Sequence, residues 1–114
     1  MANTTITLDY DEFIESIKAY GEETVQGLQK EVSKCVRSIE ADAKKNCPVD
    51  TGRLRMSITS NVGELEGTVG TNVEYAPYVE YGTYKQSEKP FLRPAYHKNV
   101  NKMRENIGKI LEGK

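Results

Sequence analysis

Between Glu22 and Asn46 the apolar residues Val25, Leu28, Val32, Val36, Ile39 and Ala43 recur at steps of three and four. That spacing lays one apolar stripe along a helix of about six turns. A stripe this long has to be covered, so the chain must bring a sheet or further helices against it. Its ends are marked as well. Gly21 separates it from a shorter amphipathic segment carrying Phe13, Ile14, Ile17 and Tyr20, which Asp9 or Asp11 can cap. At the far end, Pro48 biases Cys47 away from helical dihedrals.

The remaining segments supply the cover. "TTITLDY" reads as a short extended start. Leu54, Met56, Ile58, Ser60 and Val62 alternate with Arg55, Ser57, Thr59 and Asn61, the period of two expected of a half-buried strand over residues 54–62. Residues 63–67 are turn-like, and a second strand at about 67–73 returns antiparallel with Val69, Thr71 and Val73 on one face. In "EYAPYVEYGT" the tyrosines 75, 78 and 81 recur every three residues, Pro77 suits a first helical turn and Gly82 a left-handed stop. A last helix carries Leu92, Tyr96, Val100, Met103, Ile107 and Ile110 on one stripe, with Pro94 in its first turn. The expected fold is α+β: a small antiparallel β-sheet with the long amphipathic helix and the C-terminal helix packed on it, in one domain spanning 1–114.

Composition narrows the function. Hydrophobic residues are 37% and charged residues 29% of the chain, and no apolar run approaches the ~20 residues of a spanning helix. The N-terminus lacks the basic flank and apolar stretch of a signal peptide, so the chain is expected to fold where it is made and its thiols to stay reduced. Cys35 and Cys47, with His97 as the one histidine, are too few clustered ligands for zinc and read as ordinary small side chains. Charge is uneven. Residues 1–50 hold ten acids against six bases, whereas 84–114 hold eight bases against three acids. The basic end could meet phosphate, meet the acidic end of a neighbouring subunit, or be a solvated helix face.

Asp50-Thr51-Gly52 raises the question of an aspartic protease, whose paired carboxylates share a proton in an apolar site. Here the triad follows a charged helix, and Arg53 beside it would hold Asp50 ionised. The triad is better explained as a turn, with Asp50 accepting the Gly52 N–H and Gly52 free to take a positive φ. A Gly-rich phosphate loop and a Ser-His-Asp set are both missing. The expectation is a non-enzyme without metal or cofactor.

Three blocks, "PVDTGRLRMSI" at 48–58, "VGTNVEYAPYVEYGT" at 69–83 and "KPFLRPAY" at 89–96, resemble in order and spacing the head-tail joining or tail-completion proteins typified by gene product ten of Hong Kong 97-type siphophages. With the long helix they span about residues 10–96. Tyr81 stands where the family commonly shows Phe, and Cys47 where a small residue is expected. The resemblance implies a structural protein of the virion neck, assembled in the host cytoplasm as a homo-oligomeric ring of six subunits at the head-proximal end of the tail. Its partners would be the head connector or stopper protein and the tail tube or terminator protein. DNA would pass through without specific binding, and no membrane would be involved.

Set against that role, Asp50, Arg53, Tyr75, Tyr78, Glu80, Tyr81 and Arg93 are the candidate interface residues. The tyrosines suit either a rim-wetted subunit interface or a cap on the domain's own core. Arg53 and Glu80 both lie beside turn residues and are expected to pair, within the subunit or across the ring. Arg93 and Pro94 would set the entry to the last helix, and the loop "YKQSEK" is a candidate docking arm or a plain surface loop. Two other readings remain open: a tail terminator that stops tube growth, and a nucleic-acid-binding protein using the basic segment from Lys85 to Lys114.

Overall fold

The computed structural model describes residues 4–48, 52–63, 66–85 and 87–112. The chain opens with strand β1 (Thr4–Asp9) and helix α1 (Asp11–Ile17), where the Asp9 Oδ1 accepts the Asp11 N–H at 3.1 Å. A 3₁₀ turn, Lys18–Tyr20, leads to Gly21, whose φ of 103° ends the segment as the sequence suggested. Helix α2 (Glu22–Asn46) follows, and it buries Leu28, Val32, Val36, Ile39 and Ala43 from the expected stripe.

Residues 54–58 depart from expectation. Instead of starting a strand they form helix α3 (Gly52–Ser57), and strand β2 is only Thr59–Val62. Leu54 and Ile58 are buried while Met56 is 82% exposed. Apolar residues four apart satisfy a helix as well as a strand, and the residue midway between them tells the two apart. Gly52 opens α3 without the positive φ expected of it, a conformation that Gly21 and Gly82 adopt instead. The expected Asp50 turn lies outside the described residues.

Strand β3 (Glu66–Thr71) pairs antiparallel with both others, giving the order β1-β3-β2 with Ile6 opposite Val69 and Ser60 opposite Val69 on its two sides. One face, with Ile6, Leu8, Val62 and Val69, lies against α2; Thr5, Thr7, Thr59, Asn61 and Thr68 alternate with them on the other. Helix α4 (Ala76–Tyr81) has Pro77 in its first turn, and helix α5 (Leu92–Glu112) completes the fold. Asn46 reaches the Phe91 carbonyl, Asp42 meets Asn99 and Glu31 meets Asn106, so α5 runs antiparallel along α2.

α2 is therefore buried on two sides. Val36 points at the sheet, where a Cβ at Gly67 would come within 2.6 Å of its Cγ2. The adjacent Cys35 points at α5, in a crevice it shares with Asn99 and Met103. Gly67, which the sequence placed at the edge of a turn, is thus a point of close helix–sheet approach. Gly70 is tighter still, because a Cβ there would overlap the backbone of Thr4 and Thr5 on β1. Gly70→Ala is expected to destabilise the fold by about 1–3 kcal/mol in urea unfolding. Gly27→Ala, on α2 with open space around it, should instead be neutral or stabilising by up to about 1 kcal/mol.

Candidate interface around the Glu80 clamp

Helix α4 ends at Gly82, whose N–H donates to the Tyr78 carbonyl and whose φ is 79°. The chain then loops out and returns at Pro90, so that the start of α5 lies beside the last turn of α4. Glu80 joins them. Its Oε1 accepts the N–H groups of Phe91 at 3.0 Å and Leu92 at 2.9 Å, and its Oε2 accepts the Arg93 N–H at 3.1 Å. Pro94 has no N–H to satisfy, so one carboxylate takes up the donors that α5 leaves open at its N-terminus.

The same carboxylate holds Arg93. The Arg93 Nε donates to Glu80 Oε2 at 2.8 Å, and its Nη2 donates to the Glu80 carbonyl at 2.7 Å and to Glu88 at 2.8 Å. The guanidinium also lies 4.7 Å from the centre of the Tyr81 ring. Glu80 is 1% exposed. Burial by itself pushes its carboxyl up, but the Leu92 N–H, the Arg93 side chain and the N–H groups of Phe91 and Arg93 together hold it below the usual carboxylate range.

Arg53 has a different partner from the one expected. It does not pair with Glu80 in the subunit; it forms a fork with Glu74, Nη1 to Oε1 at 3.1 Å and Nη2 to Oε2 at 3.0 Å. Arg53 lies in the first turn of α3 with its side chain exposed, whereas Glu80 is on the buried side of α4. Both side chains of the Arg53–Glu74 fork are about two-thirds exposed, and the guanidinium lies 5.6 Å from the Tyr75 ring centre. Hydrogen bonds from Arg53 lower the Glu74 carboxyl.

The structure therefore brings Arg53 and Tyr75 together, and Glu80, Tyr81 and Arg93 together. Asp50 lies outside the described residues. Tyr78 and Tyr81 are 63% and 61% exposed and do not cap the core; Tyr75 is half-buried and packs against it. The sequence reading did not single out Glu74; Glu88 and Tyr84, which is 94% exposed, belong to the loop it named as a candidate docking arm or a plain surface loop. Glu74 could have been noticed as an acid inside the second block, next to Tyr75. Among the described residues no cluster of His, Cys, Asp or Glu could hold a metal ion. Cys35 and Cys47 are buried and unbridged; burial, with the Glu31 charge adding, pushes the Cys35 thiol up to about 11, far from a reactive thiolate.

A family model described as "Bacteriophage HK97-gp10, putative tail-component" matches residues 11–82, more than half of the chain. The chain belongs to this family. The family is one of phage tail components, which makes the protein a bacteriophage structural component carried in the virion. Arg53, Glu74, Tyr75, Tyr78, Glu80 and Tyr81 lie within the matched stretch, and Arg93 lies just beyond it. No curated protein and no solved structure matches. Among the described residues of this tail component no helix is long and apolar enough to cross a membrane.

Glu80→Ala would strip the α5 N-terminus of its acceptor and is expected to cost roughly 3–5 kcal/mol, read as a fall in urea midpoint. The pH dependence has a definite sign. Because the folded-state carboxyl is lowered from 4.5, its contribution is complete above that pH and is lost as pH falls through the folded value. Acid titration of stability below about pH 4.5 should accordingly be steeper in the wild type than in Glu80→Gln.

Proposed function

We propose that this tail component completes the tail at its head-proximal end. Six copies form a ring in the virion neck, one surface meeting the tail tube or terminator protein and another the head connector or stopper protein. Assembly takes place in the host cytoplasm, and the genome passes through the ring without specific binding. The observation that supports this reading is that the three blocks resembling tail-completion proteins are tied to one another. The Arg53–Glu74 fork joins the first block to the second, and Glu80 joins the second to the third through Phe91, Leu92 and Arg93. These links give structural work to the motif residues themselves.

A tie of this kind suits a face that must keep its shape while other proteins dock on it. The exposed Tyr78 and Tyr81 then serve as contact residues, and the Arg53–Glu74 fork sets the loops around them. The basic segment is partly neutralised within the subunit, Arg93 by Glu80 and Glu88 and Lys98 by Asp42, which favours DNA passage over DNA binding.

Electron microscopy of particles from a phage lacking this gene, with the gene restored from a plasmid as control, tests the reading. Filled heads beside separate tails of normal length are expected. Overlong tails would instead make it a terminator, and normal infectious particles would overturn the neck role. Arg53→Ala should leave the melting temperature essentially unchanged, since the fork is exposed, while lowering the yield of joined particles.

A further inference from the structure

Two unpartnered apolar surfaces lie apart on the molecule and differ in charge. One is a groove of about 390 Å³ bounded by Leu8, Tyr10 and Phe13 on one side and by Met103 and Ile107 of α5 on the other, with Val32 at its floor. Beside it stand Asp9, Asp11 and Glu12, all exposed. None of these three carboxylates has an ion-pair partner among the described residues. Among the described residues Arg104 is the one base that lines the groove.

The other surface carries the exposed tyrosines 78 and 81 on α4 and 84 just beyond it. Cations back it. Arg93 lies against Tyr81, and the Lys85 ammonium lies 5.5 Å from the Tyr84 ring centre. Lys85 and Lys89 are exposed and without an ion pair among the described residues. Arg93 and the Met103–Gly108 wall of the groove are both on α5, ten to fifteen residues apart, or about 15–22 Å along its axis. The tyrosine row therefore cannot fill the groove of its own chain.

We propose that a second copy of this chain seats its Tyr78–Tyr81–Tyr84 row in the groove between Phe13 and Ile107, with Lys85 and Lys89 meeting Asp9, Asp11 and Glu12. The proposal rests on the ring reading above and supplies the contact that would build it. Aromatic residues that carry both apolar area and a polar tip are the usual anchors of such interfaces, and the two rims carry opposite charge. Because groove and tyrosine row are different patches, the contact is heterologous: each copy offers one of each, and repetition closes a ring when the rotation allows. A two-fold dimer would not use the patches in this way.

Sedimentation velocity of the full chain and two double variants provides the test. Tyr81→Glu/Tyr84→Glu damages the row, and Asp11→Lys/Glu12→Lys damages the groove rim at exposed positions that leave the core untouched; circular dichroism melting confirms that each folds. The wild type is expected to self-associate, more weakly at high salt. Each double variant alone should associate at least about tenfold more weakly. An equimolar mixture of the two offers an intact row to an intact rim in one pairing, so association is expected to return as a 1:1 dimer at the least.

A wild type that stays monomeric at every concentration would overturn the proposal. So would variants that assemble like the wild type, or a mixture that stays monomeric. The deletion phage reads the neck role separately: separated heads and tails together with unimpaired variants would remove this contact and leave that role standing.

Discussion

A carboxylate removed almost entirely from water is stable only where nearly every lone pair meets a donor, and Glu80 satisfies that condition with three backbone N–H groups and a guanidinium. Desolvating such a charge costs several kcal/mol before its partners are counted, so the arrangement tolerates little slack. The end of α4 and the start of α5 must sit in one relation for all the bonds to form together. The intervening loop is fastened again where the Lys89 N–H donates to the Val79 carbonyl at 2.8 Å. Arg93, Tyr81 and Glu88 take their places as consequences of that one seat.

The other half of the molecule is organised by α2. Because consecutive residues on a helix point about 100° apart, Val36 and Cys35 can face the sheet and α5 respectively from one turn. Gly67 lets the helix come close on the sheet side, and Asn99, Asp42 and Glu31 take part in polar contacts that hold the register on the other. Asn99 is itself buried and satisfied, its Nδ2 donating to Asp42 and to the Ala95 carbonyl, both at 2.8 Å. A strong central helix leaves the exposed Tyr78, Tyr81 and Tyr84 outside the core.

The two arginine–carboxylate contacts differ in the work they can do. Arg53 and Glu74 meet in water, where screening and side-chain entropy leave little net stabilisation, so a role for the fork has to be sought in positioning. Glu80 and Arg93 meet at the boundary of the interior, and the carboxylate there is part of the fold. A phage tail component needs both kinds: a frame that does not yield, and outer groups free to adjust to neighbours.

Much of this was legible in the residues. The stripe of α2, the break at Gly21, the stop before Pro48, the short helix with Pro77 and Gly82 at its ends, and the stripe of α5 each depend on local periodicity or on a residue with restricted dihedrals, and those signals are carried within a few neighbours. The strand over 54–58 was misread because Leu54 and Ile58 fit both periods. Glu80 was singled out, but its partner within the subunit is Arg93 and not Arg53, because a sequence shows which charges exist and not which are brought together. The groove was invisible for the same reason, since its walls come from residues 8–13 and 103–108. Sequence alone thus determined α1, α2, α4 and α5 and the pairing of β2 with β3, all of which rest on local backbone preference and patterning. Tertiary structure decided the partner of Glu80, the closeness of α2 to the sheet at Gly67 and the groove, because each depends on atoms distant along the chain meeting at distances that only packing sets.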